Sequence, residues 1–448
     1  MAVPSSAIAP VSAPGPRAPT FGEAFGVWLK IGLLSFGGPT GQIALMHQEL
    51  VDRRRWVSEA RFLHALNYCM LLPGPEAQQL SIYIGWLLHR TWGGIVAGTL
   101  FVVPGALLLW AVSWVYVAHG HVPWIEAIFY GLKPAVMGIV AFAVLRLGRK
   151  ALKNAVMWSV AALAFGLIYF GRLPFPWLVL GAGLVGLAGG RWLPRWFAIA
   201  SGHGTKNSGD AVIDDAGEAR AEHRLSLTRS VRTAAVWVAV WAAPLVAAAV
   251  ALGSDHVLVR EGLFFSKASV VTFGGAYAVL PYVAQQAVEQ HGWLSQPQML
   301  DGLGLAETTP GPLILVLQFV GFLGAWQTPA PFSPAVAGAL GALMSSWTTF
   351  VPSFLFIFLG APYIEALRGQ RLLSAALSTI TAAVVGVVLN LAVWFARGVV
   401  WPQGGATTDW FAVIVSAAVF VGMLRWKWHV VPVVLGCGLL GLIARAAG

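Results

Sequence analysis

The residues able to do chemistry in this 448-residue chain are few, and most occur twice. Lys30 stands a turn or two ahead of Gly37 and Gly38, and Lys267 stands at the same distance ahead of Gly274 and Gly275. Both lysines have apolar or aromatic neighbours. A cation in such a segment is a functional candidate, because hydrocarbon penalises charge, although snorkelling to an interface would also place it there. Ser35 and Thr272 add hydroxyl donors beside the two glycine pairs. Pro73, Gly74 and Pro75 are followed by Glu76, while Pro310, Gly311 and Pro312 are preceded by Glu307, Thr308 and Thr309. Gln78, with Gln42, Asn67, Gln79 and Tyr83, supplies uncharged donors in the first half; Tyr277, Tyr282 and Gln318 do so in the second.

Such turns matter because non-helical backbone at membrane depth survives only inside protein or along a wet cavity. A helix restarting after one points free N–H groups and its positive end at the cavity. An oxyanion is the natural occupant. Pro39, Pro75 and Pro312 are each placed to open a new half-helix. The alternative is a set of kinks that let helices pack closely, but four breaks at matched positions favour the site. Glu76 and Glu307 are the two candidates for coupling transport to protons; the competing reading pairs each with a lysine or a free N–H.

The elements that must hold these residues lie in a bilayer. The chain is 58% hydrophobic and 10% charged, with a mean hydropathy of +0.74, too apolar for a water-soluble fold of this size. Apolar runs near 93–118, 124–145, 154–171, 174–190, 233–252, 335–359, 374–396, 409–423 and 429–444 are each about long enough to span. The expected fold is all-α, a polytopic membrane protein of about 10–13 membrane segments with broken or re-entrant helices.

The stretch Lys30 to Pro75 recurs as Lys267 to Pro312 without a gap (267 − 30 = 237; 312 − 75 = 237). Downstream, Val103-Pro104 matches Val351-Pro352 (351 − 103 = 248), the extra 11 residues falling around Thr328 to Pro334. Loop charge then orients the copies. Arg53, Arg54, Arg55 and Arg61 match Gln290, His291, Gly292 and Gln298; Arg146, Arg149, Lys150 and Lys153 match a region where only Arg397 is basic. Conversely, the neutral link from His119 to Pro123 matches a loop with Arg368 and Arg371. Basic residues mark the cytoplasmic side, so the copies read as inverted.

The resulting division is a disordered tail at 1–20, a first repeat at 21–195, and a cytoplasmic loop at 196–232 carrying Arg220, Arg224, Arg229 and Arg232. A linking helix at 233–257 and an inverted second repeat at 258–448 follow. The loop charges agree best if 21–48 and 60–90, with their copies near 262–288 and 297–325, dip into the membrane and return.

Other functions are poorly supported. Cys69 and Cys437 sit far apart in apolar surroundings, so no disulfide framework is expected. His47 and His64 make no metal-ligand spacing with Cys69, and no P-loop, haem, flavin or nicotinamide pattern is present. No metal, cofactor or catalytic residue is therefore expected. The net charge of +10 follows the loops and marks topology rather than nucleic-acid binding.

Three segments, Lys30 to Pro39, Leu71 to Leu80 and Glu307 to Pro312, resemble the chromate ion transporter (CHR) superfamily, over roughly residues 20 to 446. The order of motifs is similar to that of its long, two-copy members. The resemblance implies a multi-pass protein of the inner, cytoplasmic membrane that exports chromate, driven by membrane potential or proton gradient, and confers chromate resistance. Sulfate is the mimic of that substrate. The implied partners are chromate, sulfate as its competitor and the lipid bilayer, with a homodimer left open. A sulfate or other oxyanion carrier is the alternative, and a membrane-embedded enzyme or lipid-handling protein is the alternative of another class.

Overall fold

A computed structural model describes residues 17–120, 122–197, 212–213, 227–361, 370–402 and 407–447. Most of the expected tail and of the 196–232 loop, including Arg220 and Arg224, lies outside the described residues, as does Arg368. The chain is an all-α, multi-pass membrane protein. The first copy runs α1 (Phe21–Leu34), α2 (Gly38–His47), α3 (Glu59–Cys69), α4 (Glu76–His119), α5 (Pro123–Ala151), α6 (Ala155–Tyr169) and α7 (Phe175–Trp192). The linking helix α8 (Leu227–Leu252) has no buried residue. The second copy runs α9 (Val257–Val271), α10 (Ala276–Gln285), α11 (Gln296–Thr308), α12 (Val316–Gln327), α13 (Pro334–Gly360), α14 (Arg371–Val400), α15 (Trp410–Arg425) and α16 (Val430–Ala447). Five of the described helices, α4, α5, α8, α13 and α14, are long and apolar enough to cross a membrane, and four shorter apolar stretches accompany them.

Local sequence sets the breaks. The left-handed backbone at Gly37 and Gly38 ends one helix and starts the next, and Gly274 and Gly275 repeat this (φ +84, +70, +80 and +94°). Each copy then passes through a π-turn, Gln48–Arg53 and Gln286–Gln290. After it the Trp56 N–H bonds Leu50 O and the Trp293 N–H bonds Ala287 O, both at 2.8 Å. Ser58 and Ser295 cap the following helices, α3 and α11, through their side-chain oxygens.

The broken segments are helical hairpins. Lys30 in α1 pairs with Glu49, just past α2, at 2.9 Å; two helices continuing in one direction would separate these residues by about 28 Å at 1.5 Å per residue. Arg61 of α3 donates to the Tyr83 hydroxyl of α4 at 2.8 Å, folding those helices back on each other around Pro73 to Pro75. Helix α4 is itself bent at His89 and Arg90, where the backbone leaves helical geometry. Gly85 and Gly93 of its two arms approach so closely that a methyl on Gly85 would lie 2.4 Å from Gly93 O. In the second copy the corresponding bend is the loop between α12 and α13, which holds the extra residues.

Matched helices run antiparallel. Gly94 and Gly98 in the long arm of α4 meet Phe358 and Phe354 of α13, a constant index sum (94 + 358 = 98 + 354 = 452) that only opposed directions give. Packing is also exchanged: α5 of the first copy lies against α15 and α16 of the second, while α14 lies against α6 and α7. Small residues let these backbones touch. A methyl on Gly131 would lie 1.9 Å from Cys437 O, and one on Gly386 would lie 2.1 Å from Ala161 O.

Gly131→Ala and Gly386→Ala are each expected to cost about 1–3 kcal/mol through overpacking. Gly166→Ala, with nothing within 4 Å of the added carbon, is the control. Thermal unfolding in detergent should show lower midpoints for the first two variants alone.

Candidate functional site

At the centre each repeat closes the backbone of the other. The Gly74 N–H donates to Thr272 O and the Gly311 N–H donates to Ser35 O, both at 2.8 Å. Donors and acceptors are themselves matched pairs (311 − 74 = 272 − 35 = 237). The carbonyls left open where α1 and α9 end are thus met by the Pro-Gly-Pro turn of the opposite copy. Gln42 Nε2 adds a bond to Gly311 O at 2.6 Å, and Gln79 Nε2 bonds Pro73 O at 2.6 Å. Gly105 is required here, since a methyl would lie 2.0 Å from Pro310 O; its match, Ser353, stands beside Gly74.

Beside this crossing the first glycine pair borders open space, nothing lying within 4 Å of a carbon added to Gly37 or Gly38. Gly37 and Thr40 are exposed, so the start of α2 borders open space, termed the vestibule. Arg146 of α5 reaches it, donating to Thr40 Oγ1 at 2.7 Å. Tyr277 occupies the position matching Thr40 (277 − 40 = 237) and donates to Glu307 Oε1 at 2.5 Å. Arg146 is within electrostatic reach of both Glu307 and Tyr277, and Lys150, one turn on, is within reach of Glu76. Arg146 and Lys150 are exposed, whereas Glu307 is buried. A guanidinium thus stands at the start of α2, with an ammonium one helical turn further along α5. Such an arrangement is chemically suited to a tetrahedral anion, by charge and hydrogen bonds and without any covalent step.

Other expected site residues fall differently. Lys30 lies away from the vestibule, in a cluster where the buried Glu49 also receives Arg53 at 2.6 Å and Arg54. Lys267 is exposed. The hydroxyls of Ser35 and Thr272 donate back to Ile31 O and Ala268 O, one turn earlier in their own helices, and those of Thr308 and Thr309 likewise donate within α11. Pro75 and Pro312 are cap residues with extended backbone, not the first helical residues expected, because each must leave its turn before the next helix begins. Gln78 is buried with Oε1 unpaired, as are Gln79 Oε1, Thr349 Oγ1 and Ser353 Oγ.

Arg146, Lys150 and Thr40 were missed as site residues. Their signal in the sequence is the i, i+4 spacing of Arg146 and Lys150 near the end of α5, which the neighbouring loop charges Arg149 and Lys153 obscure.

The fold and site define a membrane-embedded transporter with an internal repeat rather than an enzyme. The family described as chromate transporter matches residues 22–187 and 260–442, one stretch per repeat. The chain belongs to this family. It is 33% identical over 427 residues to a chromate transport protein of Pseudomonas aeruginosa, covering 94% of this chain and 92% of the relative. It is 28% identical over 421 residues to a chromate transport protein of Cupriavidus metallidurans, with 93% and 91% covered. A probable chromate transport protein of Synechococcus elongatus is 30% identical over 371 residues, with 83% of each covered. No solved structure matches the chain.

Gly38→Ala meets no steric obstacle but must hold a left-handed backbone, at a cost of about 1–2 kcal/mol. The expected outcome is a protein that still inserts but binds anion more weakly, read by equilibrium binding on purified protein; unchanged binding would remove the α2 N-terminus from the site.

Proposed function

We propose that this protein exports chromate across the inner, cytoplasmic membrane by alternating access between two inverted repeats, thereby conferring chromate resistance. The observation that carries the reading is the vestibule joining the start of α2, Arg146 and the Tyr277–Glu307 pair. The chromate transport proteins it resembles supply the choice of anion. Sulfate, of the same shape and charge, is its competitor.

The antiparallel packing of α4 against α13 supports inversion across the membrane, and the folded-back α1–α2 and α3–α4 pairs support re-entrant hairpins. The basic groups around Arg53 to Arg55, Arg90 and Lys150 set the cytoplasmic side, so the vestibule opens inward. A dianion leaving a cell with negative interior gains about 4.6 kcal/mol per 100 mV, twice the value for one charge. The potential alone can therefore drive export.

Glu307 tunes anion affinity rather than supplying the driving force, since a proton leaving with the anion would move against its gradient. Ionised beside Arg146, it competes with the anion for the guanidinium; protonated, it leaves Arg146 free. Proton and anion thus promote each other's binding by reciprocal linkage, and Tyr277 keeps the carboxyl facing the vestibule.

Arg146→Ala should weaken chromate and sulfate binding at least about tenfold, the equivalent of about 1.4 kcal/mol, with Arg146→Lys intermediate because it lacks the planar fork. Wild-type sulfate binding should strengthen as pH falls, and Glu307→Gln should flatten that dependence. Binding by Arg146→Ala at the wild-type level would dismiss the site.

Topology is checked by thiol labelling, since both native cysteines are buried. Cysteines at Arg54 and Arg90 should react from the cytoplasmic face and one at Gln290 from the opposite face. Labelling of Arg54 and Arg90 from different faces would end the hairpin reading.

A further inference from the structure

A second cation faces a carboxylate along the contact between α5 and α11, away from the vestibule. Lys133 Nζ lies 3.8 Å from Asp301 Oδ1. The Asp301 side chain is buried; its Oδ2 accepts from the Tyr116 hydroxyl at 2.9 Å, while Oδ1 has no hydrogen bond. Tyr116 is held edge-on between Phe129 and Phe319. Lys133 precedes Arg146 by 13 residues (146 − 133 = 13), about 20 Å along the helix, and Asp301 precedes Glu307 on α11. Two cation–carboxylate pairs thus mark the same helix contact at different depths. Between them the packing is apolar and tight: a methyl on Gly304 would lie 3.2 Å from Val136 Cγ2.

Neither partner is kept in the matched position of the other copy. Lys133 corresponds to Thr381 (381 − 133 = 248) and Asp301 to His64 (301 − 64 = 237). The pair is therefore no relic of the shared scaffold.

The geometry points to Lys133 as a second anion-binding station for the transported oxyanion, on the outer side of the Val136–Gly304 constriction, with Asp301 as its counter-ion in the resting state. This rests on the transport reading above. The anion leaves Arg146 when the α5–α11 contact loosens and displaces the loosely held Asp301 carboxylate from Lys133. Tyr116 retains Asp301 by its hydrogen bond, so the carboxylate does not follow the anion.

A purely structural ion pair predicts something different, because replacing the buried carboxylate and its part-exposed ammonium together by apolar side chains is commonly neutral or stabilising. The test uses the full-length protein. Equilibrium binding of chromate and sulfate is measured on purified protein and flux of labelled sulfate and chromate in proteoliposomes. Lys133→Met and the double variant Lys133→Met/Asp301→Leu should both lose flux at least about tenfold, the size of one lost charge-assisted contact, with resting-state affinity unchanged and the double variant unfolding no earlier than wild type. Asp301→Asn, which removes the competing charge, should lower the anion concentration that half-saturates flux. Wild-type flux from the double variant would overturn the station, as would a loss of resting-state affinity equal to the loss of flux. If the wild-type protein moves neither anion, the transport reading itself falls, and the station with it.

Discussion

The constraint on which this structure depends is that hydrocarbon offers no hydrogen-bonding partner to an interrupted backbone. Helices α1 and α9 stop inside the fold and leave carbonyls that water would otherwise satisfy. Thr272 O and Ser35 O are met instead by the N–H groups of Gly74 and Gly311, each from the other repeat. Side-chain amides of Gln42 and Gln79 take up further carbonyls. Because the bonds are reciprocal, neither repeat has a closed backbone alone. The same interruption that creates the cost also creates the free helix start at Gly38, so the binding feature and the structural debt have one origin.

On this near-symmetric scaffold the side chains diverge. Thr40 and Tyr277 occupy one position, as do Gly105 and Ser353, Arg146 and Trp394, and Lys133 and Thr381. The Gly-Gly and Pro-Gly-Pro turns are kept in both copies, while Lys133, Arg146 and Lys150 are charged in one only. Helix α5 carries Lys133, Arg146 and Lys150, and its counterpart α14 carries Thr381, Trp394 and Gly398 in their places.

Much of the fold was legible because it is written in periodicity and repetition. Apolar runs located the long helices to within a few residues, and the offset of 237 located the glycine and proline breaks. The site was less legible, for a geometrical reason. Lys30 and Lys267 were conspicuous beside the breaks, yet a lysine's reach is long, and a fold-back of the chain gives Lys30 a carboxylate at Glu49. Arg146 lies more than a hundred residues from Thr40 in sequence, and only tertiary packing joins them. Ser35 and Thr272 illustrate a second limit, since a hydroxyl beside a helix end has its own helix as nearest acceptor.

The exchange of helices between repeats has a consequence for the making of the protein. Helix α5 emerges early from the ribosome, but the helices that cover it, α15 and α16, are the final ones in the described chain. Until they arrive, Gly131 and Gly138 offer an open seam of small residues to lipid or to any passing helix. The first repeat thus inserts as an unfinished bundle and is completed from the far end of the chain, so that a truncation near residue 410 would damage the packing of a helix synthesised nearly three hundred residues before it.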